Sequence, residues 1–184
     1  MVVGIVIILL IAFMAMFIVG IYNKLVKGRN FVEEAFSTID AYLKKRYDLI
    51  PNLVSTVKGY KEYEGETLEK VIAARNRYMS ATTPEEKIAN ENMIAGTLGK
   101  LFALKEAYPD LKANQNFMKL QDELSNIETD ILQSRKYYNG TVRNYNTSCE
   151  TFPSVIIANM FGFKKSPFFK IENEEEKNNV KVEF

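Results

Sequence analysis

Residues 2–22, at the start of the chain, contain no charged side chain. About 20 apolar residues in a helix rise ~30 Å, which is the thickness of the hydrocarbon core of a bilayer. A cleaved secretion signal would open with basic residues and close on a site of small residues, whereas a buried core helix would carry polar residues over this length. This run has none of these features. We therefore expect a transmembrane anchor at residues 1–23.

Positive charge flanks the apolar run on one side only. Lys24, Lys27 and Arg29 follow it at once, whereas its N-terminal side offers only the terminal amine. Segments rich in Lys and Arg tend to stay in the cytoplasm. We therefore expect a single-pass membrane protein with its N-terminus outside and the rest of the chain in the cytoplasm.

The composition excludes several classes of function for the chain on its own. Lys and Arg total 24 against 23 Asp and Glu, so there is no basic excess to attract nucleic acid. One cysteine, Cys149, excludes an intrachain disulfide. The absence of histidine removes histidine-based zinc sites and the Ser-His-Asp and Cys-His catalytic arrangements. We therefore expect no enzyme, no metal, no cofactor and no nucleic-acid partner.

Between Lys24 and Tyr78 the apolar residues are spaced by three and four, as in the seam of a coiled coil. Pro51 removes the N–H that would bond the Tyr47 carbonyl, so we expect a kink near Pro51 rather than a break. The register blurs around Gly65, which leaves open whether the helix continues there. The seam positions are Val32, Phe36, Ile39, Leu43, Arg46, Ile50, Leu53, Val57 and Tyr60.

Arg46 is the polar member of this seam. One interpretation is a buried cation that awaits an acidic ligand or partner. The other is an ion pair with a carboxylate of a later helix, which would fix the register of the bundle. We favour the ion pair, with Glu123, Glu128 or Asp130 as the expected partner.

Two more long helices are predicted after this one. Thr83 is a suitable N-cap, with Pro84 at the first helical position and Glu86 in place to complete a capping box. The third long helix begins at Asn114 or Asn116 and extends over about 30–35 residues, because its apolar residues alternate in steps of three and four.

A short apolar segment follows at residues 152–169. Its side chains Phe152, Ile156, Phe161 and Phe163 are candidate interaction residues, because this much apolar surface is not left in water. It can pack on its own bundle, on a membrane interface or on another copy of the chain. If three long helices alternate in direction, the segment lies away from the membrane, and we expect it to contribute to self-association. Residues 172–184 are rich in Glu, Asn and Lys and are predicted to be disordered.

Two sequence blocks are long enough to suggest a family. They read Leu43-Lys44-Lys45-Arg46-Tyr47-Asp48-Leu49-Ile50-Pro51-Asn52-Leu53-Val54 and Tyr108-Pro109-Asp110-Leu111-Lys112-Ala113-Asn114. With these blocks, residues 23–171 resemble the LemA family of bacterial membrane proteins. The resemblance implies one N-terminal span, an antiparallel bundle of four helices, and a bacterial inner or cytoplasmic membrane. It implies no particular biochemical activity.

The fold expected from the residues is all-α. It consists of the anchor and then an antiparallel up-and-down bundle over residues 24–171, with a short C-terminal helix. We favour a membrane-anchored helical scaffold or interaction protein, with the lipid bilayer and other copies of the chain as partners. The alternative is a regulatory accessory subunit of a membrane enzyme such as a protease, with that membrane protein as the partner.

Overall fold

The computed structural model describes residues 1–58, 65–91 and 108–170, and every regular element in these ranges is helical. The all-α prediction is therefore confirmed. The predicted disordered tail at residues 172–184 lies outside the described residues. The helices are α1 (Val2–Lys58), α2 (Gly65–Ser80), α3 (described over residues 84–91), α4 (Pro109–Lys112), α5 (Gln115–Glu150) and α6 (Ser154–Met160).

Helix α1 joins the uncharged run to the predicted seam in one element of 57 residues. Its N-terminal part is the one stretch of the described helices that is long and apolar enough to cross a membrane, and this part is exposed. From Val32 onward the predicted seam positions are buried or half-buried, up to Val57. Tyr60, the last predicted member, lies outside the described residues.

Pro51 lies inside α1 and does not break the helix, as the sequence predicted. Pro51 has no N–H for the Tyr47 carbonyl. That carbonyl accepts a hydrogen bond from Nε of Arg75 on α2 instead, at 3.1 Å. The fold thus supplies the missing donor from a neighbouring helix.

The ends of two later helices are capped as the sequence predicts. The Glu86 backbone N–H donates to Oγ1 of Thr83 at 3.2 Å, and the Thr83 N–H donates to Oε2 of Glu86 at 3.3 Å. This reciprocal pair is the capping box of α3. Asn114 caps α5 by accepting a hydrogen bond from the Phe117 N–H at 3.0 Å. Helix α5 contains 36 residues, close to the predicted length.

The Cα packing divides the chain into two compact units. Unit 1 comprises Met1–Ile39 and Ser134–Phe168, and unit 2 comprises Asp40–Gln133 and Phe169–Phe184. Helices α1 and α5 contribute to both units.

Within unit 2, the helices alternate in direction around α1. Helix α2 is antiparallel to α1, because its last turn reaches back to Asp40 through Tyr78. Helix α3 runs parallel to α1, with Lys87 on Asp40 and Glu91 on Arg46. Among the described residues, the apolar core of unit 2 consists of Leu43, Tyr47, Ile50, Leu53, Val54, Val57, Leu68, Val71, Ala74, Tyr78, Ile88, Leu111, Phe117, Leu124, Ile127, Ile131 and Phe169.

Within unit 1, α5 runs antiparallel to α1. The ring of Tyr138 packs near that of Phe36, and farther along α5 Tyr145 packs on Gly28. A Cβ at Gly28 would lie 3.1 Å from Cδ2 of Tyr145, so a glycine at this position permits the close approach of the two helices.

The predicted position of the C-terminal apolar segment is wrong. Residues 152–169 were expected away from the membrane anchor, but Phe161 and Phe163 contact Tyr22, at the end of the uncharged run. The reason is an additional reversal. Helix α1 ends at Lys58, and α2 is a separate antiparallel helix that begins at Gly65. With this reversal the described part of α3 runs parallel to α1 and α5 runs antiparallel to it, so the end of α5 lies near the start of the bundle.

Candidate functional site

Arg46 forms a buried ion pair in the core of unit 2. Its side chain is fully buried, and its guanidinium donates to the carboxylate of Glu91, which is also fully buried. A second donation, from Nη1, reaches Oε1 of Glu128 on α5 at 2.9 Å. We call Arg46, Tyr47, Glu91 and Glu128 the Arg46 cluster. It joins α1, α3 and α5.

Tyr47 links the Arg46 cluster to Tyr78 on α2. The Tyr47 hydroxyl donates to Oε2 of Glu91 at 3.0 Å, and its ring stacks on that of Tyr78 with the centroids 4.2 Å apart. Tyr78 in turn donates to Oδ1 of Asp40 at 2.5 Å, and Nζ of Lys87 binds the same carboxylate at 2.7 Å. The result is a network of two hydrogen-bonded groups, linked by the stacked rings of Tyr47 and Tyr78, that joins α1, α2, α3 and α5.

Burial and charge act together on the ionisable groups of this network. Burial alone would lower the pKa of Arg46, but the carboxylates of Glu91 and Glu128 raise that pKa above its usual value. Burial and the adjacent Glu91 raise the pKa of Tyr47. Burial and the hydrogen bond to Asp40 raise the pKa of Tyr78. At neutral pH the arginine is therefore charged and both tyrosines keep their protons.

This arrangement fixes the helices against one another. The guanidinium is held by two carboxylates of its own chain, which is the ion-pair interpretation rather than a cation open to a ligand. Of the three predicted partners, Glu128 contacts Arg46. Glu91 was not predicted, although the sequence carried a signal for it, since Glu91 lies between Ile88 and Ala95 in the spacing of apolar residues that follows Pro84 in the sequence.

A second feature lies in unit 1, at residues 152–163, which we call the aromatic segment. Four of its large apolar side chains are more than half exposed to solvent: Phe152 at 82%, Ile156 at 52%, Met160 at 68% and Phe161 at 53%. Ile157 and Ala158, on the other face of α6, are buried. The predicted interaction residues Phe152, Ile156 and Phe161 are thus all exposed, whereas Phe163 is half-buried.

Hydrogen bonds to the backbone hold the chain that follows the aromatic segment. Gly162, two residues after the end of α6, has a φ of 71°, and the Phe163 N–H donates to the Ala158 carbonyl at 2.9 Å. This is the pattern of a Schellman motif, in which glycine adopts the left-handed conformation without strain. Asn146 then donates to the Ser166 carbonyl at 3.0 Å and accepts from the Ser166 N–H at 2.9 Å.

A groove of about 450 Å³ separates α1 from α5 just beyond the uncharged run. Its lining surface is more apolar than polar, and it carries lysine, amide and hydroxyl groups as well. The lining residues are Gly20, Asn23, Lys24, Lys27, Gly28, Phe31, Thr141, Asn144, Tyr145 and Ser148.

Comparison with known proteins places these features in a family. The profile of the LemA family matches residues 35–184, which includes the whole Arg46 cluster. The chain belongs to the LemA family. The Protein LemA of Metamycoplasma hominis is 31% identical over 138 residues, a match that covers 73% of this chain and 62% of that relative. The chain thus spans less than two thirds of the length of this relative.

More distant similarity links this LemA-family protein to magnetosome proteins. Magnetosome protein MamQ of Magnetospirillum gryphiswaldense is 28% identical over 72 residues, which cover 39% of this chain and 26% of MamQ. Magnetosome protein MamQ 2 of Paramagnetospirillum magneticum is 29% identical over 73 residues, 27% of its length. The family is not known as a family of enzymes. Membership of the LemA family and the exposed apolar part of α1 together indicate that this protein is membrane-associated.

Proposed function

We propose that this LemA-family protein is a membrane-anchored helical scaffold. Residues 2–22 cross a bacterial inner or cytoplasmic membrane, and the bundle binds partner proteins or further copies of the chain on the cytoplasmic side. The observation that carries this proposal is the continuity of α1, which runs from Val2 to Lys58 as one helix. A partner that binds the bundle is thereby held at a fixed distance from the bilayer.

The Arg46 cluster supports a structural rather than a catalytic role. A catalytic group has to reach its substrate, whereas Arg46 and Glu91 are fully buried and bound to each other. The basic flank of Lys24, Lys27 and Arg29 supports the cytoplasmic orientation.

The first experiment tests anchoring and orientation. Membranes from cells that express the full chain are washed in alkaline carbonate, and we expect the protein to stay in the pellet. Protease added outside sealed cells is expected to spare the bundle and to cut it only after the cells are opened. Release into the wash would contradict the anchor, and digestion in sealed cells would contradict the orientation.

A regulatory accessory subunit of a membrane enzyme such as a protease is the second candidate function. The hydrogen bond from Arg75 to the Tyr47 carbonyl favours this second function. It connects α2 to α1 near Pro51, so a movement of α1 would be transmitted to α2. Cross-linking in native membranes separates the two candidates. Products that contain several partners or several copies support the scaffold, and a single foreign membrane protein at constant stoichiometry supports the accessory subunit.

A further inference from the structure

Tyr22 marks a depth in the membrane, if residues 2–22 cross it as proposed above. It is the last residue of the uncharged run, and Lys24 and Lys27 follow within two turns. Tyrosine at the end of a spanning helix, next to basic residues, is typical of the boundary between acyl chains and headgroups. Side chains that contact Tyr22 therefore lie at this boundary.

The aromatic segment contacts Tyr22 directly. The ring of Phe161 lies 5.0 Å from that of Tyr22, and the ring of Phe163 lies 5.5 Å from it, both edge to face. The end of α6 is thus at the level where α1 leaves the bilayer. This position follows from the return of α5 and differs from the one that the sequence predicted.

The exposed surface of the aromatic segment is rich in apolar side chains. Ile156 and Met160 are four residues apart on α6, which places them on one face of that helix, and Phe152 lies in the turn that precedes it. All three are more than half exposed, while Ile157 and Ala158 attach the opposite face to unit 1. A helix with one apolar face buried in protein and a second one exposed needs a second apolar environment.

Cationic residues lie where lipid headgroups would be. Lys164 directly follows the segment and is exposed, and the guanidinium of Arg29 lies 5.6 Å from the centre of the Phe163 ring. Aromatic residues beside lysine and arginine are the usual composition of segments that lie in the headgroup layer.

We propose that the aromatic segment is a second membrane contact. Phe152, Ile156, Met160 and Phe161 enter the boundary of the leaflet from which α1 emerges, and the segment lies along the surface without crossing it. The bundle would then be attached to the bilayer at two points, which restricts how far α1 can tilt or rotate. The proposal rests on the membrane anchor proposed above.

The chain contains no tryptophan, so a single one introduced by substitution reports its own surroundings. The full chain is placed in vesicles of phosphatidylcholine and phosphatidylglycerol that either lack bromine or contain a mixture of lipids with bromine near the headgroup and lipids with bromine near the end of the acyl chain. The variant under test is Phe161→Trp. Phe13→Trp, in the uncharged run, reports the anchor, and Tyr137→Trp, an aromatic position of unit 1 that is 61% exposed, is the matched control on α5.

We expect the bromine to quench Phe161→Trp and Phe13→Trp strongly and to leave Tyr137→Trp unchanged. Quenching of Phe13→Trp alone would overturn the second contact while leaving the anchor in place. Emission of Phe161→Trp that is shifted to the blue but not quenched would mean that protein, such as a second copy, covers the segment, which also overturns the proposal. Equal quenching of Tyr137→Trp would contradict a contact specific to this segment, and loss of quenching at Phe13→Trp would overturn the anchor itself.

Discussion

Units 1 and 2 share the same two long helices, yet they stabilise their buried polar groups differently. In unit 1 the buried polar side chain is neutral and binds the backbone, as Asn146 does at Ser166. In unit 2 the buried polar side chains are charged and bind one another, as Arg46 and Glu91 do. These statements concern the described residues only.

The difference indicates what each arrangement controls. The neutral side-chain amide of Asn146 forms hydrogen bonds with one backbone segment, so it holds only that segment in place. A buried ion pair fixes two helices against each other, because a shift of register would leave a charge in the core without its counter-ion. We infer that the Arg46 cluster sets the register of the bundle, and that Asn146 positions the chain that follows the aromatic segment.

The largest expected effect is that of Arg46→Ala. This change leaves Glu91 buried without its counter-ion and should lower the free energy of unfolding by about 3–5 kcal/mol. Denaturant unfolding of the full chain in mild detergent measures the change. Arg46→Met in combination with Glu91→Leu should recover much of the loss, because no buried charge remains. Lys44→Ala, at an exposed position on the same helix, is the control and should have little effect. A negligible change for Arg46→Ala would contradict the buried ion pair.

Asn146→Ala should have the next largest effect. It removes both hydrogen bonds to Ser166 and should destabilise the fold by about 1–3 kcal/mol. The same unfolding measurement applies, with exposed Asn144→Ala as the matched control on the neighbouring surface. If both substitutions have equal effects, the bonds to Ser166 do not hold the chain.

Arg75→Met tests the hydrogen bond from Arg75 to the Tyr47 carbonyl, which replaces the backbone N–H that Pro51 lacks. Loss of the donor leaves the Tyr47 carbonyl without its partner and should reduce stability by about 1–2 kcal/mol. In a Pro51→Ala background the same change should be nearly neutral, since alanine returns the backbone N–H to α1. A double-mutant cycle gives the coupling between the two positions. Additive effects would mean that Arg75 does not replace the missing donor.

The smallest effect concerns alkaline pH in unit 1. Burial and the hydrogen bond to Cys149 raise the pKa of Tyr145 to about 12. The unfolded chain releases this proton near the usual tyrosine value of about 10, so the folded state binds more protons between these values and stability falls as pH rises. Tyr145→Phe should lose less stability than the parent between pH ~9 and ~10.5, by roughly half a kcal/mol after allowing for solvent. Identical losses in both proteins would assign the alkaline sensitivity to other groups.

Much of the fold could be predicted from the sequence, because it depends on local patterns. The spacing from Val32 to Val57 identified the buried face of α1, and the arrangement of Thr83 and Glu86 identified the start of α3. The position of Arg46 among apolar residues identified a buried ion pair and one of its two partners. Each of these inferences needed only the periodicity of a helix or the chemistry of its end.

The location of the aromatic segment could not be predicted in the same way. It depends on how many times the chain reverses, so one missed reversal moves every later element to the opposite end. Lys58 followed by Gly59 is a helix-stop signal. The apolar spacing that resumes at Leu68 obscured this signal. Glu91 was missed for a related reason, since its burial depends on which face of α3 meets α1.

The return of α5 to the start of the bundle is the central claim, and a cross-link tests it most directly. Tyr22→Cys is combined with Phe161→Cys in a Cys149→Ser background, and a short reagent that joins two thiols is added to native membranes. We predict an efficient cross-link within one chain, because the two rings lie 5.0 Å apart. Tyr22→Cys with Tyr137→Cys should not react, since Tyr137 is next to Tyr138, which packs near Phe36, about 21 Å along α1 from Tyr22. A cross-link with Tyr137→Cys but not with Phe161→Cys, or a product that joins two chains only, would contradict the account.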